Sequence, residues 1–567
     1  MIPFLRHVKP SVSLSPNWLI LWGNLGDKPE NCTYFKQGSF EICNTQPALS
    51  PRKRFIVVGE AWLTNRIELL HHLETSKNAD LKTDLELVAA LWEVFGKECM
   101  SQLQGNFVVG VWDSEEERLW LGRDRVGAKT LYYTTTGSIR VCAPRLKTLS
   151  PWHSLDLDLV ALRDYLACAF VPGNRTLWEQ VRELRPGTIL SFPNEKIHSY
   201  WQPKEETSHP DKTLLWHGQK LQNLLHDIIL EYLPQNQPVG VYLSGGLDSS
   251  CITALAAKYH NFPVHTYSIH FGAECPHELE FSDLVASHCH TQHSILEITP
   301  SQMWDLLPLV MANLDDPIGD PLTVPNYLLA QFAREQTQVI LNGEGGDPCF
   351  GGPKNQPMLL TQLYGNTKLP DLVTNYLTSF KKCATDLSQL LQPDIYKKVI
   401  SEPSIFAEDL YTDAQYINRL MVLNIKYKGA DHILTKVNNL TQSAGLQGRS
   451  PLFDSRVVQL AMQTPPEYKL AGAEEKAVLK QAVADLLPEA IIKRPKSGMR
   501  VPVQLWFHRY WQRKTKQLLL SRNSEIAPYL NQQLIRDWTN YQGDTWKRYG
   551  VKLWLLVSLE LWLRNYR

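Results

Sequence analysis

The chain has 567 residues, 43% of them hydrophobic and 20% charged, with 17 Trp. At about 100–200 residues per domain this amounts to two to four domains with ample material for packed cores, which excludes a single small binding module and a disordered chain. Lys plus Arg and Asp plus Glu number 58 each, so the net positive field that drives nonspecific attachment to phosphate backbones is missing, and nucleic acid is not expected as a main partner.

The opening MIPFLRHVKP lacks the long apolar core and small-residue cleavage site of a secretory signal. Residues 54–60 (RFIVVGE), 106–113 (NFVVGVWD) and 117–122 (ERLWLG) read as strands, and 83–98 (TDLELVAALWEVFGKE) has the apolar spacing of a helix starting near Thr83-Asp84. The first 200 residues are therefore strand-rich α+β. Residues 202–212, QPKEETSHPDK, are polar and contain two prolines, as an interdomain linker would. The texture then changes to alternating units: helix 213–232, strand 239–243, helix 249–259, strand 265–271, helix 279–289 and strand 339–343. That alternation implies a parallel sheet with its ligand site at the C-terminal strand ends. Beyond about residue 355 the chain is helical and Leu-rich. The apolar run Leu553 to Leu563, interrupted by Glu560, is too short to span a bilayer and reads as a buried helix. Ten scattered cysteines without a CxxC pair suit reduced thiols in a cytoplasmic protein, with no membrane partner expected. His288-Cys289-His290 with His293 offers good zinc ligands, but no second ligand pair stands at zinc-finger spacing.

The most informative segment is VGVYLSGGLDSS, residues 239–250. An apolar strand enters a loop with paired glycines and a helix leaves it, so exposed amides and the positive helix end can receive a phosphate. Asp248 lies among those amides, where a carboxylate facing phosphates calls for a bridging Mg²⁺. S-G-G-x-D-S arises by chance in roughly one chain per thousand of this length. No G-x-x-x-x-G-K-[ST] or G-x-G-x-x-G competes with it.

SGGLDSS after a strand resembles the pyrophosphate loop of ATP pyrophosphatases, which cleave ATP between the α- and β-phosphates. LDDPIGDPLTVPNYLLA (314–330), ILNGEGGDPCFGG (340–352), GRSPLFD (448–454) and KRPKSGMRVPV (493–503) resemble, in order, the synthetase domain of the asparagine synthetase family. In the first half NRIELLHHL (65–73), KTDLELVAAL (82–91), LQGNFVVGVWD (103–113) and LGRDRVGAKTLYY (121–133) resemble that family's amidotransferase domain. The resemblance implies an α+β amidotransferase-like sandwich over residues 1–205. It is followed over 206–567 by an α/β parallel-sheet ATP pyrophosphatase domain with a helical C-terminal part.

It also implies the chemistry. A carboxylate attacks the α-phosphate of ATP, pyrophosphate leaves, and an amine converts the acyl-adenylate to an amide. By the same resemblance Ser244, Gly245, Gly246, Ser249 and Ser250 form the pyrophosphate cradle. Asp248 and Asp347 hold Mg²⁺, while Leu243, Ile269, Asn342 and Gly343 hold the adenosine. Glu344 matches the glutamate implicated in adenylate formation, which could take the proton of the attacking amine. Lys496 matches a late-loop lysine facing the acyl-adenylate, where a fixed cation can lower the barrier by about 3 kcal/mol. Asp315, Asp316 and Asp320 orient substrate or serve as caps and turns.

Glutamine-dependent members use an N-terminal cysteine nucleophile, whereas this chain has Ile2 and its first cysteine is Cys32. The arginine-bearing segment that clamps glutamine is not recognisable between residues 35 and 50, although Asp84 and Gly59-Glu60 persist. A silent first domain is the expectation, with the amine supplied from elsewhere. RPKSGMRVPV is most similar to the lasso-peptide macrolactam cyclases, and Glu344 stands where β-lactam-forming relatives have a tyrosine. The leading expectation is a peptide macrolactam cyclase served by a precursor peptide, a leader-binding protein and a leader peptidase. Ammonia-dependent asparagine synthesis or another small-molecule amide synthesis is second, and a non-catalytic scaffold third. Gln447 and Asn438, read as lying in helices where asparagine synthetases usually carry acids, suggest a different acceptor pocket.

Overall fold

The computed structural model describes residues 18–23, 33–73, 81–275, 278–352, 358, 371–471, 474–494, 500–541 and 548–566. Two six-stranded antiparallel sheets form the first half. Along the strand Phe55–Leu63, Ile56 and Val58 enter the core between the sheets, where they join Ile20, Phe40 and Trp112. Phe55 and Val57 turn the other way, onto Leu87 and Leu91 of the helix Asp84–Phe95. Because side chains alternate along a strand and both faces here are covered, FIVV reads as an unbroken apolar run. The helix starts where its sequence says it should: Thr83 Oγ1 accepts from the Glu86 amide and the Glu86 carboxylate accepts from the Thr83 amide, a reciprocal cap that contributes about 1 kcal/mol.

The second half is built on five parallel strands in the spatial order Gln292–Glu297, Val264–His270, Val239–Tyr242, Val339–Leu341, Gln447–Arg449. The apolar pattern marks neither of the outer two, and Gln447, read as lying in a helix, opens the last strand instead. QHSILE is half-exposed and QGR has three residues without an apolar side chain, so neither carries the hydrophobic signal of a central strand. The helices Leu214–Tyr232, Leu247–Tyr259 and Leu279–His288 fall within two residues of their expected places. Tyr416–Leu423 and Thr435–Ser443 flank a π-helical stretch, Asn424–Leu434. The final helix, Tyr549–Arg564, is buried on nearly every side. Its Glu560 is fully enclosed and satisfied by Ser524 Oγ at 3.0 Å, the Ile526 amide at 3.1 Å and Arg564 Nε at 2.7 Å, which is how a carboxylate persists inside an apolar helix. Among the described residues no helix is long and apolar enough to cross a membrane.

The halves share one core. Leu19, Tyr165 and Trp178 of the first pack with Leu314, Trp554 and Trp562 of the second, and the Trp178 and Trp562 rings stack with centroids 5.3 Å apart. Buried ion pairs cross the same boundary: Arg145 Nε to Asp315 at 2.9 Å and Arg185 Nη1 to Asp431, from the π-helical stretch, at 2.7 Å. The polar segment 202–212 is fastened down as well. The Ser208 amide donates to the Gln463 carbonyl at 2.9 Å, and Glu205 accepts from the Gln415 amide at 2.8 Å and from Asn418 Nδ2 at 2.5 Å.

Asn418 Oδ1 in turn accepts from Lys469 Nζ at 2.7 Å. Burial without a carboxylate in direct contact pulls this ammonium down to about 7, against an attraction to Glu205. The unfolded chain holds that proton up to about pH 10.4, so between pH 7 and 10 the unfolded state binds more protons and stability must rise with pH. Below pH 7 both states are protonated and the slope vanishes. Between pH 7 and 9 the wild type should gain about 2 kcal/mol relative to Lys469→Met in denaturant unfolding; a constant difference would show that the lysine stays charged.

Candidate active site

The spatial order of the parallel strands is 3-2-1-4-5 in chain order, so the chain reverses direction of growth between Val239–Tyr242 and Val339–Leu341. Loops leaving the C-terminal ends of strands at such a point open a crevice between them. Here those loops are 243–246 and 342–346. Gly345 has φ +111°, a backbone favouring glycine. A Cβ at Gly343 would lie 2.5 Å from the Ser249 amide nitrogen, so the second loop lies directly on the first turn of the helix Leu247–Tyr259.

That packing brings together two carboxylates, Asp248 in the first turn of the helix Leu247–Tyr259 and Asp347 in the first turn of the short helix Gly346–Phe350. Lys476 Nζ lies 2.7 and 2.6 Å from Asp248 Oδ1 and Oδ2 and 2.5 Å from Asp347 Oδ1. Lys476 is buried and has φ 57°, ψ 35°, a left-handed conformation uncommon outside glycine, at the start of the helix Ala477–Ala482. Nothing local in GAEEKAVLKQ marks this lysine, and sequence inspection missed it. Its role follows only from the meeting of three distant segments.

The other expected residues that are described lie on the adjoining loops, strand ends and first helical turn. Ser244 Oγ and Ser249 Oγ are 3.0 Å apart, the Ser244 amide donates to Ser249 Oγ at 3.1 Å, and Ser249 Oγ donates to the Gly246 carbonyl at 3.1 Å. Ser250 is fully enclosed within the helix, its hydroxyl sealed from solvent. Leu243 and Ile269 are buried on neighbouring strand ends, and the Leu243 carbonyl accepts from the Ser268 hydroxyl. Asn342 Nδ2 donates to the Arg449 carbonyl at 3.2 Å, while its Oδ1 receives the Glu344 amide at 3.0 Å. Lys496 lies outside the described residues, as do Ile2 and Cys32.

Asp315, Asp316 and Asp320 divide. Asp315 is a structural junction, taking Arg145 Nε at 2.9 Å, the Leu146 amide at 3.0 Å and Asn439 Nδ2 at 2.8 Å. Asp316 accepts the Leu177 amide at 2.9 Å, and burial drives its carboxyl well above the usual range. Asp320 faces the site's flank: Lys436 Nζ is 2.7 Å and His432 Nε2 3.3 Å from its Oδ2. Burial opposes ionisation of Asp320, yet Lys436 and His432 outweigh it and hold the carboxyl well below the usual range. Lys436 is correspondingly raised, against burial, by Asp320 and by Glu344. The pair is thus ionised and sits in the field of Glu344. Burial lowers His432 to about 4, and its ring stacks on Phe170 at 5.4 Å. His288 Nε2 meets the Leu486 carbonyl and His293 meets Thr266 and Asp283; no group of three or more metal-ligating side chains occurs among the described residues.

In the first half the retained acids are internally neutralised. Asp84 takes Arg66 Nη1 at 2.7 Å and the Leu63 amide at 2.8 Å. Glu60 pairs with Lys129 Nζ at 2.9 Å, which reaches across the domain boundary to Asn438 Oδ1 at 3.3 Å. The space lined there by Asn106, Val126, Lys129, Val437, Asn438 and Phe453 amounts to about 30 Å³. Burial pushes the thiols of Cys99 and Cys142 up, and likewise those of Cys168, Cys251, Cys349 and Cys383; thiols so raised are poor nucleophiles.

Family comparison accords with this geometry. Residues 199–564 match the asparagine synthase family model, and 40–201 match that of the glutamine amidotransferase domain. The chain is similar to asparagine synthetase [glutamine-hydrolyzing] 1 of Bacillus subtilis, at 24% identity covering 91% of this chain and 86% of the relative. It is 26% identical to a putative asparagine synthetase [glutamine-hydrolyzing] of Mycobacterium tuberculosis, covering 80% and 76%. It is 24% identical to asparagine synthetase B [glutamine-hydrolyzing] of Escherichia coli, covering 80% and 70%. The fold and site define an ATP-dependent, AMP-forming carboxylate–amine ligase with an amidotransferase-like first domain. The chain belongs to the asparagine synthase family.

Proposed function

We propose that this ligase closes a peptide macrolactam, joining an amine of a precursor peptide to a side-chain carboxylate of the same peptide, as lasso-peptide cyclases do. The observation that carries the chemistry is the meeting of Asp248 and Asp347 at one buried cation beside the loop 243–246. Two hard carboxylates at the starts of separate helices, with the glycine backbone of Gly346 and Gly352 pressed against them, would suit Mg²⁺. Bound there, Mg²⁺ would neutralise the charge of the departing pyrophosphate.

This chain's own groups do the rest. The loop amides and the Ser244 and Ser249 hydroxyls receive the β- and γ-phosphates, and Leu243, Ile269, Asn342 and Gly343 hold the adenosine. A substrate carboxylate oxygen attacks the α-phosphorus and pyrophosphate leaves. The amine nitrogen then attacks the acyl carbon, AMP departs with the C–O electron pair, and Glu344, its backbone held by Asn342 and its carboxylate in the field of Lys436, accepts the amine proton. By the family resemblance alone, Lys496 would supply a cation for the developing oxyanion.

The peptide amine is favoured because the described cysteines with shifted thiols are all raised, because Asp84 and Glu60 are already paired, and because Lys129 and Asn438 meet across the narrow space between the halves. The similarity to proteins named asparagine synthetases supports a second reading, amidation of aspartate by free ammonia. The test offers Mg-ATP with a precursor peptide encoded beside the gene, with aspartate and ammonium, or with aspartate and glutamine, followed by mass spectrometry. Loss of one water from the peptide with AMP formation is the expected outcome. Asparagine from ammonium alone would establish the second reading, and asparagine from glutamine would overturn the silence of the first domain.

A further inference from the structure

Arg494 follows the short helix Glu489–Lys493 and turns its side chain back into the protein, leaving it 9% exposed. Its Nη1 donates to the Gly245 carbonyl at 2.9 Å, its Nη2 lies 2.8 Å from Glu278 Oε2, and its guanidinium carbon stands 3.8 Å over the Phe281 ring. Gly245 has φ +74°, and a Cβ there would lie 2.7 Å from the Ser282 amide nitrogen and 2.8 Å from Phe281 Cβ. Three segments distant in sequence therefore close on one peptide group: the loop 243–246, the start of the helix Leu279–His288, and the residue after 493.

The Gly245 carbonyl and the Gly246 N–H belong to the same planar trans peptide and point in opposite directions. A donor that fixes the carbonyl on one side fixes the amide on the other. The Gly246 amide points to the cradle side, where it donates a long hydrogen bond to Ser244 Oγ at 3.4 Å. A peptide between two glycines turns over easily, and in the inverted state a carbonyl oxygen would confront the phosphates. The geometry points to Arg494 as a positioning residue that holds the 245–246 peptide with its N–H toward the β- and γ-phosphates, without itself touching nucleotide. This inference rests on the assignment of 243–246 as the pyrophosphate loop. The flat guanidinium fork can serve the carbonyl and Glu278 together while stacked on Phe281; a lysine ammonium cannot reproduce that geometry.

The test compares binding of magnesium pyrophosphate and of AMP by calorimetry, with no acceptor present, for the whole protein and its Arg494→Lys, Arg494→Met and Asp248→Ala variants. Both Arg494 variants should bind magnesium pyrophosphate about tenfold more weakly, as for a lost charge-assisted hydrogen bond. AMP, which has no β- or γ-phosphate, should bind as in the wild type. A role confined to holding the fold would weaken both ligands alike and overturns the inference, as does unchanged pyrophosphate binding. The lysine variant keeps the Glu278 ion pair and so keeps the test usable if the methionine variant does not fold. If Asp248→Ala leaves pyrophosphate binding intact, the loop assignment fails and this inference falls with it. If Asp248→Ala loses binding while the Arg494 variants do not, only the inference about Arg494 fails.

Discussion

Replacing Asp248 with alanine is expected to abolish pyrophosphate release from Mg-ATP, with a fall of about a thousandfold or more, in whichever acceptor mixture supports turnover. Asp248 is one of two carboxylates that converge on Lys476. Without it the ammonium keeps Asp347 alone, and the divalent ion of the proposed mechanism would lose one of the two carboxylates offered to it. Asp347→Ala should behave the same way. Thermal unfolding of both variants separates lost chemistry from lost fold: a melting temperature within a few degrees of the wild type with no pyrophosphate release is the expected pairing. A folded Asp248→Ala variant that still turns over at a tenth of the wild-type rate would remove this carboxylate from the reaction.

The second large effect is on stability. Asp320→Ala should destabilise the protein by about 3 kcal/mol, because it leaves the buried Lys436 ammonium without its partner 2.7 Å away. Lys436→Met on the same background should recover most of that loss, since replacing both members of a buried pair costs far less than replacing one. The pH dependence has a definite sign. Asp320 is held below its ordinary value, so its contribution is complete above about pH 4 and is lost as the pH falls through the depressed value. Denaturant midpoints of the two single variants and the double variant, taken at neutral pH, complete the cycle; strictly additive losses would show that the ion pair does not couple the residues.

How legible these features were depends on how local each is. The helix at Thr83 has its cap and its reciprocal glutamate within four residues, and the strand at Phe55 has its apolar run in one place, so both are read correctly to within a few residues. The segment 244–250 is legible as a strand-to-helix turn because its glycines, serines and aspartate are adjacent. Lys476, Lys436 and Arg494 are different. Each meets a partner more than 100 residues away, Asp248, Asp320 and Gly245 in turn, and a lysine or arginine in or beside a helical stretch looks from its neighbours like a solvated surface charge. Asp315 and Asp316 were legible as aspartates of consequence but not in role, because one serves Arg145 and the other the Leu177 amide, both in the opposite half of the chain. The strand Gln447–Arg449 could not be read at all, since three residues without an apolar side chain become a strand only by pairing with Val339–Leu341.

The shared core between the halves has a bearing on inheritance. Trp562 of the last helix stacks on Trp178 of the first half, and Asp315 and Asp431 spend their charges on Arg145 and Arg185 across the boundary. A gene that lost its first 200 codons would encode a synthetase with two stranded internal carboxylates and an open aromatic face, prone to aggregate before it could act. Mutations that erase chemistry from the first half are therefore tolerable where its deletion is not. A lineage that abandoned such a domain's chemistry would still be obliged to transmit the domain itself.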